Sequence, residues 1–508
     1  MTDGVIGLFI YLTGLCVGSF LNVVIYRLPR GLSISKPAWS FCPLCKTTLR
    51  WYDNLPVLGW LLLRARCRHC HEPISAQYPL IEAITGLAFV LTYHLLFIAD
   101  ARAGADQLTW PTDVPLLLAW LILVAALIVC SVMDLLWYVV DTRITDIALV
   151  AGIVLSVLWP RPDFFAGRAA SPAAAAAAVA FVVSGVMLWR TAWRDSSTAE
   201  EELLRGAAAE DGKTALPSPS VNVVTVLAIM VFVGLAVWLL AGAATAASDT
   251  SGALGLAVPA AFLALFAAMV LSGGQPRAVD DELHATIEAE APAARRLIQR
   301  ELVWLSPAIV AAIITYFVVR NVSAVNDLWQ TATSWTPVGR LAPLGGAVFA
   351  VHGAIVAAAA GWIIRIFFTL VFGREAFGVG DIYILAAAGA VGGWDIALLG
   401  FLLSVFIALL GWIIGLLLKR PGMIPFGPPL AIGFLAALWL NQRAAALAAS
   451  HSRDLALAWQ KRPDMVLLGV GLLLVVLPIS IVLAKLTRRL VERQEERAEV
   501  SGGETKEE

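Results

Sequence analysis

Long apolar stretches free of charged residues recur along the whole chain, and this feature restricts its possible folds more than any other. A helix needs about 20 successive apolar residues to cross the roughly 30 Å hydrocarbon core of a bilayer. Of the 508 residues, 59% are hydrophobic and only 14% are charged, whereas an ordinary soluble domain has about 25% charged residues. We therefore predict an all-α polytopic membrane protein with about 13 transmembrane helices. The spans are predicted near residues 5–26, 80–98, 115–139, 144–159, 173–189, 221–241, 254–272, 302–319, 345–364, 381–394, 396–418, 424–441 and 465–484.

The distribution of basic residues predicts the orientation of the chain. Short loops that are rich in Lys and Arg stay in the cytoplasm. About three quarters of the Lys and Arg residues fall on the cytoplasmic side if the N-terminus is outside and the C-terminus is inside. The first apolar run ends in Arg27 and Arg30 without a basic segment before it, which is typical of an uncleaved anchor. The net charge of -1 excludes nucleic-acid binding through overall basicity.

Four of the six cysteines form two CxxC pairs in a polar, Arg-rich segment that the charge pattern places in the cytoplasm. Thiols are kept reduced in that compartment, where paired CxxC motifs more often bind metal than form disulfides. Four thiolates can hold one tetrahedral Zn²⁺ and leave no position for water, so we predict a structural zinc site. Such a metal stabilises a polar segment that is too small to build a core of its own. The predicted ligands are Cys42, Cys45, Cys67 and Cys70.

Two acidic residues lie where predicted spans meet the cytoplasmic face. Asp134 is in the last turns of the third span and Asp381 opens the tenth, so we expect both carboxylates at the same depth. Gly378 and Gly380 allow the backbone to bend just before Asp381. Two acids in this arrangement can share one proton and activate a water molecule, as in aspartic proteases.

Two unrelated acids at helix ends would give the same pattern. In that alternative, the two carboxylates cap their helices or pair with Arg143 and Arg374. A GxGD motif alone does not decide between the two interpretations, because four-residue patterns recur by chance.

Several longer motifs resemble the bacterial type IV prepilin peptidases. They include Gly18-Ser-Phe-Leu-Asn-Val-Val-Ile-Tyr-Arg-Leu-Pro-Arg, the cysteine quartet, and Pro73-Ile-Ser-Ala-Gln-Tyr-Pro-Leu-Ile-Glu. Residues 375–394 are similar to the Glu-Gly-Met-Gly-x-Gly-Asp segment of that family, and Ile424-Pro-Phe-Gly-Pro-Pro-Leu-Ala is similar to its late Pro-Phe-Gly motif. The resemblance covers about 18–140 and 360–440.

This resemblance implies a GxGD membrane aspartic protease of the bacterial inner membrane, with Asp134 and Asp381 as the catalytic pair. It implies that the protein removes the short basic leader of type IV prepilins or pseudopilins at the cytoplasmic face. Many members then methylate the new N-terminus with S-adenosylmethionine, and Glu82 is our candidate for a residue that contacts the cofactor or the amine. The alternative interpretation of Glu82 is an acid near a helix N-terminus that the helix dipole favours. Asp141 is an alternative first partner: beyond the first aspartate the family usually has Leu-Leu-Pro-Asp, and here Asp141 stands at the position of the proline and Thr142 at that of the acid.

A polytopic transporter or membrane scaffold with a zinc-stabilised cytoplasmic domain is the alternative function, since the chain has more predicted spans than the family needs.

The motifs divide the chain into six predicted segments. The predicted segments are a first transmembrane anchor (1–27), a cytoplasmic zinc-binding domain with the cysteine quartet (28–79), a first membrane peptidase segment with Asp134 (80–160), a membrane insert with two polar cytoplasmic loops (161–341), a second membrane peptidase segment with the GxGD motif (342–441), and a last span with a charged cytoplasmic tail (442–508).

Overall fold

The helices account for nearly all regular structure among the described residues. The computed structural model describes residues 2–36, 39–42, 44–98, 108–137, 140–159, 298–315, 317–319, 321–333, 342–373, 377–417 and 425–441. All of them belong to one unit of the chain, Met1–Asn441, and the second unit, Gln442–Glu508, lies outside the described residues. The helices are α1 (Thr2–Arg27), α2 (Leu58–Leu62), α3 (Gln77–Tyr93, extended by a π-helical turn over His94–Ile98), α4 (Val114–Trp137), α5 (Thr142–Leu158), α6 (Ile298–Val319), α7 (Ser323–Thr333), α8 (Ala342–Phe372), α9 (Val379–Gly392), α10 (Trp394–Leu417) and α11 (Gly427–Asn441).

Six of these helices are long and apolar enough to cross a membrane, namely α1, α3 with its extension, α4, α6, α8 and α10. Two shorter apolar helices are α9 and α11, and α5 has 17 residues. The predicted membrane protein with several spans is thus confirmed, but the count of about 13 is not. The predicted spans at 173–189, 221–241, 254–272 and 465–484 lie outside the described residues.

Glycines let α1 and α3 approach until their backbones touch. A Cβ atom at Gly14 would lie 2.7 Å from the Cα atom of Gly86, and one at Gly18 would lie 2.7 Å from the Cα atom of Glu82. Small residues permit such close packing of membrane helices, which gain van der Waals contact rather than hydrophobic burial. This helix pair carries the segment 28–76 between its members, so the two ends of that segment are held close together.

A second close-packed group consists of α5, α8 and α9. A Cβ atom at Gly353 of α8 would overlap the backbone carbonyl of Gly389 in α9, and a Cβ atom at Gly346 would overlap the carbonyl of Ser156 in α5. A Cβ atom at Gly152 of α5 would lie 2.9 Å from a methyl group of Val391 in α9. The helix that begins with the GxGD motif is therefore fixed against two neighbours.

Candidate active site and metal centre

Asp134 lies in the last turn of α4 and is 8% exposed. Its Oδ2 atom accepts a hydrogen bond of 2.6 Å from the backbone N–H of Gly427. Gly427 is the first residue of α11, and the first N–H groups of a helix have no partner within the helix. A Cβ atom at Gly427 would lie 3.0 Å from that oxygen and 3.2 Å from the Cα atom of Ser131. The Pro-Phe-Gly motif thus brings a backbone donor to the first candidate aspartate.

Asp381 lies at the start of α9, where Gly378 is the N-cap. The Asp381 side chain turns back to the backbone N–H of Gly378, as an acidic third residue does in a capping box. A Cβ atom at Gly380 would lie only 2.6 Å from the Cβ atom of Val140, so a glycine is needed for α9 to begin beside the connection between α4 and α5. The start of α9 thus lies beside the end of α4, within electrostatic reach of Asp134. The two candidate aspartates, far apart in the sequence, therefore lie close together in space.

An aromatic cluster joins the segments that carry or contact the two aspartates. The ring centroids of Phe377 and Phe401 are 5.6 Å apart, and that of Phe426 lies 6.0 Å from each of the other two. Phe377 comes directly before Gly378, and Phe426 comes directly before Gly427. The three rings meet edge to face, an arrangement that adds to the stability gained from burial alone.

The contacts of Phe377 and Phe401 were not predicted from the sequence. The sequence does show a phenylalanine directly before Gly378 and another directly before Gly427, but neither spacing nor periodicity reveals which distant ring each one contacts. Ser131 was also missed. It lies one turn before Asp134, is 4% exposed, and its hydroxyl has no hydrogen-bond partner among the described residues.

Asp141, the alternative first partner, has a structural role at the start of α5. It is the N-cap of that helix, and its side chain accepts a hydrogen bond of 2.9 Å from the backbone N–H of Arg143. Its two oxygen atoms also accept bonds from the Arg143 guanidinium, at 3.0 Å from Nε and 2.7 Å from Nη2. Arg143 therefore pairs with Asp141 here, and Arg374, the other suggested partner of the two aspartates, lies outside the described residues.

The four cysteines of the predicted zinc site come together. The sulfur atoms of Cys42 and Cys70 are 3.8 Å apart, those of Cys45 and Cys67 are 4.0 Å apart, and all four lie within 4.8 Å of one another. Bonds of about 2.3 Å to a tetrahedral Zn²⁺ require sulfur atoms about 3.8 Å apart. The donor set and its spacing fit a structural zinc ion.

The two CxxC motifs fold as equivalent knuckles. In each, the first cysteine donates its backbone N–H to a carbonyl five residues later, at 3.0 Å for Cys42 and 2.8 Å for Cys67. In each, the residue after the second cysteine has a left-handed backbone, with φ of 58° for both Lys46 and His71. One short antiparallel bridge closes each turn, between Phe41 and Thr48 and between Arg66 and Pro73.

Side-chain contacts besides the cysteines also hold this domain together. Arg68 binds the nearly buried carboxylate of Asp53 with a shortest distance of 2.5 Å, and these hydrogen bonds lower the pKa of Asp53. Trp60 donates its indole N–H to the carbonyl of Ile74 at 3.0 Å. A domain of this size has too small a core to be stable without a cross-link such as a structural metal.

Glu82, the candidate for contact with cofactor or amine, lies in the second turn of α3 and is 8% exposed. Its Oε2 atom accepts a hydrogen bond of 2.6 Å from the backbone N–H of Val57 in the metal-binding domain. Val57 has a φ of 59°, a conformation that β-branched residues rarely adopt. Glu82 therefore fastens a strained turn of that domain to a membrane helix.

The N-terminal part of the chain matches a known protein family. Residues 12–96 match the family model described as Bacterial Peptidase A24 N-terminal domain. No solved structure matches the chain significantly.

Three of the similar curated proteins show how far the likeness extends. The prepilin leader peptidase/N-methyltransferase of Myxococcus xanthus (strain DK1622) is 38% identical over 196 residues, which is 39% of this chain and 53% of the relative. The protein of the same name from Klebsiella pneumoniae is 36% identical over 193 residues, which is 37% of this chain and 73% of the relative. The type 4 prepilin-like proteins leader peptide-processing enzyme of Escherichia coli O78:H11 (strain H10407 / ETEC) is 40% identical over 140 residues, 24% of this chain and 46% of the relative.

The chain thus spans about half the length of the Myxococcus and Escherichia relatives and nearly three quarters of the Klebsiella relative. The residues that match the family model include most of the anchor, the cysteine quartet and Glu82. The chain belongs to the prepilin leader peptidase/N-methyltransferase family.

Proposed function

We propose that this protein is a membrane aspartic endopeptidase that removes the basic leader of type IV prepilins or pseudopilins at the cytoplasmic face of the inner membrane. The observation that carries the proposal is the approach of Asp134 and Asp381 at the ends of two apolar helices. A charged side chain costs about 2.5 to 3.5 kcal/mol at the centre of a membrane helix on insertion scales, and ionisable residues within membrane helices mark functional sites by default. Two carboxyl groups within electrostatic reach of each other support a shared chemical role.

The two carboxyl groups would divide the proton transfers of peptide hydrolysis between them. One carboxyl group holds the shared proton and donates a hydrogen bond to the carbonyl of the bond to be cut, while the other, ionised, takes a proton from the attacking water. The backbone N–H of Gly427 fixes the orientation of Asp134, and the N-cap at Gly378 fixes that of Asp381. The four-thiolate site offers no open coordination position for water, so we assign it a structural role only.

We further propose that the protein methylates the new N-terminal amine with S-adenosylmethionine as the methyl donor. Methyl transfer needs a free amine and an oriented donor but no acid that activates water. It can therefore use groups other than the aspartates, and we assign Glu82 as the carboxylate that contacts the amine or the methyl donor. The names of the curated relatives, which combine both activities, support this division.

The central test uses the purified full-length protein, a prepilin encoded near its gene, and intact-mass analysis. Asp134→Asn and Asp381→Asn should each abolish cleavage, because a pair with only one carboxyl group cannot both hold the proton and act as base. Asp141→Asn should retain cleavage, since asparagine still caps α5.

Full cleavage by either of the first two variants would remove the aspartate pair from the mechanism. Loss in Asp141→Asn, with activity retained in Asp134→Asn, would move the first partner to Asp141. Intact mass also reports methylation in the same spectrum, so one experiment covers both proposed activities.

A further inference from the structure

A buried arginine on α8 contacts the residue that precedes the GxGD motif. Arg365 is 1% exposed, and its Nη1 atom donates a hydrogen bond of 2.5 Å to the backbone carbonyl of Phe377. Its Nε and Nη2 atoms donate to Glu301 of α6, with a shortest distance of 2.9 Å. A guanidinium bound in this forked manner has a fixed orientation, which a single-point ammonium would not have.

The carbonyl that Arg365 holds lies at the point where the candidate active site is assembled. Phe377 precedes Gly378, the N-cap of α9, and Asp381 follows in the first turn of that helix. The ring of Phe377 packs against Phe426, whose neighbour Gly427 binds Asp134. The position of Phe377 therefore affects the positions of both aspartates. It is connected to Asp381 through the backbone and to Asp134 through the aromatic cluster and Gly427.

Glu301 lies within the segment predicted as a membrane insert, 161–341. Its helix, α6, contacts α8 a second time one turn away, where the ring centroids of Trp304 and Trp362 are 6.1 Å apart. The same faces of the two helices thus meet at an aromatic pair and at an ion pair. A buried charge such as that of Arg365 requires a partner, and Glu301 supplies one.

We propose that Arg365, oriented by Glu301, is a positioning residue that sets the start of α9 and with it the separation of the two aspartates. This inference rests on the proposed peptidase function, and it gives the predicted insert a role in that reaction. Neither residue is placed in contact with the substrate. Substitution should therefore lower kcat and leave KM nearly unchanged, because a displacement of about 1 Å at the reacting groups can cost about 100-fold in rate.

The experiment uses the full-length protein in lipid nanodiscs with a prepilin peptide. The variants are Glu301→Gln, Arg365→Gln, the double variant, and Arg365→Lys, which keeps the charge without the fork. The matched control is Arg300→Gln, which removes a charge from the adjacent, exposed position of the same helix. For each protein, kcat, KM, the melting temperature and the hydrogen exchange of the backbone amides at residues 378–385 are measured.

We expect Glu301→Gln and Arg365→Gln each to lower kcat per folded protein by about 10- to 100-fold, with KM close to that of Arg300→Gln. Their melting temperatures should fall below that of the control, because each change leaves one member of a buried pair without its partner. The double variant should be no slower than the worse single variant, because both changes remove the same interaction. Arg365→Lys should retain part of the rate. Amide exchange at 378–385 should rise in the single variants and stay unchanged in the control.

Wild-type rates in Glu301→Gln and Arg365→Gln would overturn the inference while leaving the peptidase proposal intact. Losses of rate that match losses of folded protein, or that add up in the double variant, would overturn it as well. A wild-type protein that does not cleave would refute the peptidase function. In that case the exchange measurement still decides whether the pair positions α9.

Discussion

At the scale of single residues, Glu82 combines a structural contact with a proposed chemical role. Its hydrogen bond to Val57 explains why an acid is tolerated at a buried position of a membrane helix. A buried carboxylate requires such a partner, because an unpaired one costs several kcal/mol. The hydroxyl of Ser19 in α1 also binds this carboxylate. In our proposal the negative charge held in this way attracts an amine or a methyl donor.

We predict that Glu82→Gln abolishes methylation and leaves leader cleavage intact. A glutamine can still accept the hydrogen bond from Val57, but it has no negative charge to orient an ammonium group or a sulfonium donor. The assay supplies a precleaved pilin peptide and S-adenosylmethionine to the Asp381→Asn protein, with and without Glu82→Gln. Methyl uptake is then read without interference from cleavage.

The control for this prediction is the resistance of residues 28–78 to proteolysis. If Glu82→Gln makes that segment protease-sensitive, the loss of methylation reflects a detached domain and our assignment of Glu82 fails. Undiminished methyl uptake in Glu82→Gln would also contradict it. If the wild-type protein transfers no methyl group, only the peptidase activity remains.

At the scale of elements, we expect the segment with the two cysteine knuckles to depend on a bound metal for its stability. Each knuckle has a residue with φ of 58° that is not glycine, and such backbone conformations persist only where other contacts enforce them. Four thiolates around one zinc ion are a strong constraint of this kind. The short helices and single bridges nearby offer little to replace it.

We predict one zinc ion per chain, and we expect Cys42→Ser and Cys70→Ser to make residues 28–78 protease-sensitive while cleavage slows less. The reason is that a closed four-thiolate site stabilises the fold and has no catalytic position. Elemental analysis gives the metal content, and limited proteolysis with a chelator gives the stability. Cys16→Ser, which changes an exposed thiol outside the quartet, is the matched control.

A metal-free preparation whose domain resists protease as well as the zinc-bound protein would contradict this prediction. So would a zinc content unchanged by Cys42→Ser. Equal sensitivity in Cys16→Ser would show that loss of any cysteine, rather than loss of the metal, loosens the chain.

The sequence predicted these elements well where a local pattern specifies them. The spacing of the cysteines indicated the metal site, and long apolar runs indicated α1, α3, α4, α8 and α10. The contact between Glu82 and Val57 could not be predicted, because it depends on a left-handed turn at a valine, which no propensity favours. The rings of Phe377, Phe401 and Phe426 also meet only through the tertiary fold.

At the scale of the whole molecule, the basic residues make the orientation testable. We predict that the N-terminus and the loop before α4 are outside and that the metal-binding domain is inside, because that arrangement keeps most Lys and Arg residues in the cytoplasm. Alkaline phosphatase fused after Thr109 should be active. The same enzyme fused after Thr142 should be inactive, whereas a green fluorescent protein fused there should fluoresce.

The reverse pattern at the two positions would invert the whole topology and place the zinc site outside. It would also remove the cytoplasmic face from the proposed reaction. Activity of the phosphatase at both positions would contradict α4 as a membrane span. Expression of each fusion must be compared by immunoblotting, since an unstable fusion is also inactive.

The contact between the helices that carry Asp134 and Asp381 could not be predicted from the sequence. Asp134 and Asp381 were chosen for their predicted depth and for a motif, and nothing in the intervening chain indicated that α4 and α9 are neighbours. The Arg365 interaction was missed for the same reason: a lone arginine near the end of an apolar run usually marks the membrane interface. Its partner Glu301 is supplied by α6, which packs on α8.

The contact between Gly353 and Gly389 has a consequence for how this sequence can vary. Any side chain at either position must push apart two backbones that now touch, and α9 would move with its first turn. A library of single substitutions should therefore find these glycines about as intolerant as the aspartates, although Gly389 lies about two helical turns from Asp381. Mutational intolerance in this protein thus has two sources, the reacting groups and the helix spacing that holds them. Alanine at Gly353 should lower protein abundance together with activity, whereas asparagine at Asp381 should lower activity alone.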